Sequence, residues 1–296
     1  MTETLPVPDL AGLPKTAASA PVPSTRPIRR ALSYVVPPTL VFLGIVGLWY
    51  AGSYVLIDSD RRFLLPPPHQ VAQVAFGDLN NLNELLTGLA LSVEVAMTGL
   101  VLATVIGLGV AILMSQARWI ERSLYPYAVV LQTVPVLALV PLIGYWFGYA
   151  FSSRVLVCVL IAIFPIIANA LFGLRSVDPG LHDLFTMHAA GRWVRLVKLQ
   201  LPAALPAIFT GLRISAGASV IGAVVGDFFF QQGQPGIGQL IYQYNRQLQS
   251  EKLFAAVLLA CFFGLVVFWA FGFLASRVAK WHESAHDRPA RKVTTI

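Results

Sequence analysis

Arg175, Asp178, Asp183, Arg192, Arg195, Lys198 and Arg213 are gathered in one stretch of a chain that is otherwise almost free of charge. Arg192, Arg195 and Lys198 recur at helical spacing, and Trp193, Val194, Leu196, Val197 and Leu201 supply an apolar side to the same turn sequence. Gly180 and Gly191 punctuate the stretch, and Pro202 and Pro206 close it, so two short helical pieces with a bend are expected. The chemistry open to such residues is ion pairing and docking. Nothing in them assembles a nucleophile, a base and an oxyanion donor, so no catalytic residue is assigned. Two readings remain open at this level: an amphipathic helix lying on anionic lipid, or a polar connection of about 30 residues kept because something grips it.

The elements that hold this stretch are apolar and long. The 296 residues are 56% hydrophobic and 12% charged, with mean hydropathy +0.70, which excludes a soluble globular domain and requires a bilayer. The pI near 9.6 is not a nucleic-acid signature, because the basic residues cluster at the ends of apolar runs. Cys158 and Cys261 lie inside apolar runs and read as packing residues. The five histidines show no ligand spacing, so no metal site is assigned. No phosphate-cradling GxxxxGK[ST] is present either, and the chain brings no nucleotide site of its own.

Taken in order, 1–33 is expected to be a disordered tail, 34–276 a transmembrane domain of six helices, and 277–296 a basic tail. The expected spans fall near 34–57, 85–114, 124–147, 154–174, 206–230 and 253–275. Pro37 and Pro38 are placed in the first turn of the first span, where a missing N–H costs least. Val71, Val74, Ala75, Leu79 and Leu82 predict an interfacial helix ahead of the second span, and Ile237, Leu240, Ile241, Tyr244 and Leu248 another after the fifth. On this map 16 of the 21 Lys and Arg fall on one side of the membrane. The positive-inside rule then places both termini in the cytoplasm, in a multi-pass protein in contact with lipid and not with nucleic acid.

Three residues are candidates for a solute pathway. Glu94 lies within the second span, where a carboxylate costs about 2.5–3.5 kcal/mol unless it meets a cavity or a partner. It either lines a pathway or is a structural group neutralised by protonation or by Arg154. Trp146, in the Tyr145–Tyr149 aromatic cluster, reads more simply as part of an interfacial belt than as a ligand platform. Asp227, at the outer end of the fifth span, reads more simply as a solvated helix-end carboxylate than as a site. Arg213 is expected to snorkel to the cytoplasmic surface.

The stretch 178–213 resembles the cytoplasmic loop of permease subunits of type I ABC importers, whose pattern is an acidic residue, two alanines, a glycine, and a hydrophobic run ending in Leu-Pro. Counting back from Leu201 and Pro202, the acidic position falls on Asp183 and the glycine position on Ala189, while Leu184 and Phe185 replace the alanines. Ala189-Ala190-Gly191-Arg192-Trp193 is similar to the form in the branch that imports nitrate, sulfonates, taurine and thiamine precursors. The Phe63-Leu-Leu-Pro-Pro-Pro68 element also resembles that branch, and Gly233-x-Pro-Gly-x-Gly238 resembles the Gly-Leu-Gly element that follows the fifth helix in the family. The resemblance implies an all-α permease fold in which about 175–206 is a coupling loop carrying Asp183, His188, Ala189, Ala190, Gly191, Arg192, Trp193, Arg195, Leu201 and Pro202. With the glycine position held by alanine, Gly191 is the expected bend.

It further implies a bacterial plasma membrane, an ABC ATPase partner that binds ATP and Mg, an external solute-binding protein, a permease homodimer, and alternating access. This chain has no cofactor in that scheme and is not an enzyme. The branch leaves the solute between a heterocyclic vitamin precursor, such as a thiamine-precursor pyrimidine or riboflavin, and sulfonate, taurine or nitrate. A secondary transporter driven by an ion gradient is the rival of another class, but it calls for charge pairs within the membrane and an internal repeat.

Overall fold

The computed structural model describes residues 27–286, and among them no strand occurs. The residues 1–26 and 287–296, and with them most of the two expected tails, lie outside the described residues. The first helix, α1 (Pro27–Ala51), begins ahead of the expected start at 34 and carries Pro37 and Pro38 in its interior, not in its first turn. Pro27 itself occupies the first helical position, which its fixed φ suits. This helix forms a compact unit separate from the rest of the chain.

The second unit, from Gly52 onward, is built on three helices: α3 (Leu79–Gln116), α6 (Phe151–Arg175) and α9 (Leu201–Phe229). α6 packs against both of the others. In a bilayer the hydrophobic effect does not drive helices together, so close backbone approach and van der Waals contact must do it. Cys158 on α6 shows how. It is fully buried between Gly99 of α3 and Gly222 of α9, and a Cβ on Gly222 would sit 2.8 Å from the Cys158 Cα. One level further along, the Ser215 Oγ donates across to the Ala162 carbonyl at 2.6 Å, tying α9 to α6 by a polar contact that lipid cannot compete for. Cys261, by contrast, is exposed.

Among the described residues, five helices are long and apolar enough to cross a membrane, and a sixth span is available from α4 (Arg118–Thr133) and α5 (Val136–Phe147), which meet at 97°. The third span expected at 124–147 is therefore broken. Pro135 sits at the break and caps α5, with no N–H to continue α4. α2 (Pro68–Phe76) is shorter than the interfacial helix expected there. It ends at Gly77 and buries Val71 and Ala75 while packing on α11 (Ser250–His286). α11 also runs past the expected end of the sixth span at 275.

The connection between α6 and α9 carries α7 (Pro179–Met187) and the single turn α8 (Arg192–Arg195). From Arg192 the chain stays helical to Phe229, so Pro202 and Pro206 do not end a helix as expected. A wider π-helical turn at Leu196–Gln200 precedes Pro202, and loosening the ladder there accommodates a residue that cannot donate to it. At the other end of α9, Gln231–Gly236 leads into α10 (Ile237–Arg246), which buries Ile237, Leu240 and Tyr244 as the sequence stripe requires. Leu248 leaves that stripe: it is 69% exposed at φ 56°, in the turn that ends α10.

Candidate functional site

At the α7–α8 end, the connection is held open by local bonds, and its apolar residues are left bare. Asp178 caps α7, its carboxylate accepting from the Gly180 N–H at 2.6 Å. The Arg195 guanidinium reaches back to the Ala190 carbonyl at 3.1 Å, closing the bend, and the His188 ring lies 3.0 Å from the Leu184 carbonyl. The bend itself falls on Ala189, whose φ is 48°. Gly191, expected to supply it, has φ −65° and ψ 163°, which any residue adopts. Ala189 thus takes the left-handed conformation at some cost, about 1–2 kcal/mol for a residue with a Cβ. Asp183 and Arg192 are exposed, Leu201 and Pro202 are half-buried at the start of α9, and Trp193 is 76% exposed. Leu181, Leu184 and Met187 on the short α7 join Trp193 and Val197, at the start of the Arg192–Phe229 run, in an exposed apolar set.

The opposite end holds a cluster that the sequence did not disclose. Asp227, in the last turn of α9, is completely buried, not solvated. It forms an ion pair at 3.0 Å with Arg154, which stands in the first turn of α6 and is 2% exposed. Its other oxygen accepts from the Ser92 hydroxyl of α3. The Ser92 oxygen in turn receives the Ile237 N–H at 2.8 Å, which fixes the start of α10. Arg154 turns the other N–H groups of its two terminal nitrogens to the chain that follows α9, donating to the carbonyls of Phe230 at 3.1 Å, Gln232 at 2.8 Å and Gln234 at 3.2 Å. One guanidinium and one carboxylate therefore staple α3, α6 and α9 to the segment Phe230–Ile237. Gly236 is required by this arrangement, because a Cβ there would overlap the Asp227 carboxylate.

Beside the staple an open pocket of about 460 Å³ is lined by Leu91, Tyr149, Phe151, Arg154, Gln232 and Gln234. Tyr149 is fixed by edge-on contact with Phe230, ring centroids 5.9 Å apart. Trp146 is 64% exposed and does not join it. Glu94 lies on the exposed face of α3, about half a turn beyond Ser92, and Arg154 is not its partner. Arg213 stacks on Phe268 of α11, its guanidinium carbon 4.1 Å from the ring centroid, so it is held by an aromatic face. Three of the expected site residues, Glu94, Trp146 and Asp227, are thus separate features. Sequence alone does contain a signal for the staple: opposite charges in the first turn of one apolar helix and the last turn of another, followed by a Gly-x-Gly.

Residues 103–280 match the family of binding-protein-dependent transport system inner membrane components. The chain is 32% identical over 246 residues to the formylaminopyrimidine transport permease protein ThiX of Halalkalibacterium halodurans, covering 83% of this chain and 96% of that protein. It is 32% identical to the riboflavin transport system permease protein RibX of Chloroflexus aurantiacus, over 84% of this chain and 90% of the relative. It is also 30% identical to the putative aliphatic sulfonates transport permease protein SsuC of Bacillus subtilis, over 92% and 96%. In fold it is similar to an inward-facing structure of the MetNI methionine ABC transporter, with TM-score 0.60 at 17% identity, over 68% of this chain and 99% of that one.

The structure is a helical membrane bundle interrupted by a short-helix connection with bare apolar residues. The chain belongs to the binding-protein-dependent transport system inner membrane component family, as a permease subunit of a type I ABC importer. It is a multi-pass membrane protein and not itself an enzyme, since ATP hydrolysis in such importers resides in a separate subunit. Membership also sets aside the ion-gradient reading.

Proposed function

We propose that two copies of this chain enclose a central pathway in the bacterial plasma membrane, with both termini cytoplasmic. Two ATPase subunits that bind ATP and Mg would grip the loop at about 175–206, and an external solute-binding protein would deliver cargo to the other face. Charge supports the orientation: on the sequence map 16 of the 21 Lys and Arg fall on the α7–α8 side, against Arg61, Arg62, Arg154, Arg246 and Lys252 on the other, of which Arg154 is neutralised by Asp227. The bare Trp193, Met187 and Val197 support the docking role, because buried aromatic anchors carry most of the energy of such contacts.

The proposed cargo is a planar heterocycle of the thiamine-precursor pyrimidine or flavin kind, in preference to sulfonate, taurine or nitrate. The relatives' names include both classes at nearly equal identity, so they do not separate them. The observation that carries the choice is electrostatic. Among the described residues, Arg154, Arg213 and Arg277, buried in or stacked within the spans, are engaged by Asp227, Phe268 and Phe273, whereas the Glu94 carboxylate is exposed on α3. A pathway that selects an anion calls for free cations or helix N-termini. A carboxylate instead repels anions and accepts hydrogen bonds from ring N–H and amino groups, and the exposed Tyr145 and Trp146 offer flat faces. Uptake by the full complex in vesicles, competed with pyrimidines, flavins, taurine and nitrate, tests this. Inhibition by taurine or nitrate with indifference to the heterocycles would overturn the cargo, and unaltered uptake by Glu94→Gln would remove Glu94 from the pathway.

A further inference from the structure

At the α7–α8 end the last turns of α3 and α6 and the first turn of α4 enclose a polar cleft of about 590 Å³, completed by His182 of α7 and by Gln200. Its charges are unbalanced. Glu121 holds Arg175 in a two-pronged ion pair, which accounts for the one carboxylate on the cleft wall. Arg118 and Arg122 also line the cleft, both exposed, and neither has an ion-pair partner among the described residues. The His182 ring adds a further donor. The cleft therefore presents two free guanidinium groups, whose planar forks match the oxygens of a phosphate.

The surroundings say what kind of phosphate fits. One turn deeper than the cleft, Leu113 on α3 and Phe172 on α6 are 55% and 70% exposed, and Trp119, between the two free arginines, is 71% exposed. Leu113 and Phe172 each stand three residues before a cleft-wall residue, Gln116 and Arg175, so by helical spacing the cations at the helix ends and the bare apolar side chains one turn in form an amphipathic pair of surfaces. A free phosphate uses only the first of these. A phospholipid uses both, its headgroup in the cleft and its acyl chains along Leu113 and Phe172, with the Trp119 ring at the interface.

We propose that the cleft formed by Arg118, Arg122, Arg175 and His182 is a binding site for the headgroup of an anionic phospholipid. The site lies where α6 enters the α7–α8 connection, so an occupied cleft braces the base of the loop against the bilayer surface. This inference rests on the membrane reading of the chain and is independent of the cargo.

The full-length chain, purified in detergent, is equilibrated with equal amounts of phosphatidylglycerol and phosphatidylcholine, and retained lipid is read by native mass spectrometry. Phosphatidylglycerol is expected to be retained about tenfold over phosphatidylcholine. The preference should fall to parity in Arg118→Gln/Arg122→Gln, weaken but stay above parity in Arg118→Lys/Arg122→Lys, which keeps the charge without the planar fork, and persist in full in Arg61→Gln/Arg62→Gln at the opposite end. Parity in the native chain, or an undiminished preference in the double glutamine variant, would overturn the proposal. Displacement of phosphatidylglycerol by millimolar inorganic phosphate would assign the cleft to a soluble anion and overturn the lipid assignment; retention in its presence supports it.

Discussion

Replacing Arg154 by methionine should be among the most damaging single changes in this chain, and more damaging than replacing its partner Asp227 by asparagine. Both groups are buried, at 2% and 0% exposure, so neither is screened by solvent. Removing the cation strands the Asp227 carboxylate and leaves the Phe230, Gln232 and Gln234 carbonyls without their shared donor. Breaking a buried pair from one side costs about 3–5 kcal/mol. Asp227→Asn retains the shape, an acceptor for Ser92 and all three carbonyl contacts of Arg154, so it costs about 1–3 kcal/mol. At about 2–4 °C per kcal/mol, Arg154→Met should lower the thermal midpoint by about 6–20 °C and Asp227→Asn by about a third to a half as much. The double variant Arg154→Met/Asp227→Leu, which removes both charges, should recover part of the loss. The assay is thermal unfolding in detergent followed by tryptophan fluorescence, with proteolysis of the 231–236 segment as a local readout. If Arg154→Met falls within about 2 °C of the native midpoint, or if the two single variants are equal, the asymmetric staple derived from the hydrogen bonds is wrong.

The bend at Ala189 should welcome glycine: Ala189→Gly removes left-handed strain and should be neutral to about 1 kcal/mol stabilising, while Ala189→Val should destabilise the loop. Gly191→Pro should insert and fold normally, since φ −65° suits proline; differential hydrogen exchange over α7–α8 checks both. Trp193→Glu should leave the thermal midpoint unchanged but weaken co-purification of the ATPase at least about tenfold, as loss of an anchor does. Burial, with the Glu84 carboxylate nearby, pushes the Tyr244 hydroxyl above its ordinary range. Its neutral form is favoured by the fold, so the associated stability is complete below about pH 10 and declines above it, as the unfolded state ionises first. Tyr244→Phe should flatten the pH dependence of the thermal midpoint above pH 10, and an unchanged slope would remove Tyr244 from it.

Much of the architecture was legible because bilayer chemistry leaves few choices. Apolar runs long enough to span must be helices, and the Ile237, Leu240 and Tyr244 stripe could bury only one face. What was not legible depended on three-dimensional neighbours. Arg154 and Asp227 are 73 positions apart, and each alone looks like an interfacial charge; only the crossing of α6 with α9 makes them a buried pair. Pro202 and Pro206 read as terminators because proline ends helices in water, yet a π-helical turn ahead of them keeps the run continuous. Ala189 was passed over for Gly191 because composition points to glycine at a bend, whereas backbone bonds from Ala189 to Thr186 and from Ala190 to Phe185 fix the turn two residues earlier.

The continuity of Arg192–Phe229 has a mechanical consequence. This run of 38 residues is about 57 Å long, and it carries the exposed Trp193 at one end and the stapled Asp227 at the other. A force on the α7–α8 connection can be transmitted along a helix only as far as the helix is stiff. The π-helical turn at Leu196–Gln200, with Pro202 and Pro206 following, is the place where the ladder is loosest. Beyond it, Ser215, Gly222 and Asp227 lock α9 to α6 by a hydroxyl bond, a glycine contact and an ion pair in succession. α9 therefore has a compliant foot and a clamped shaft, and α6 must move with it. Asp227 and Arg154 hold both helices and the Phe230–Ile237 segment at once, so a displacement of the loop carried along α9 would reach that segment through them.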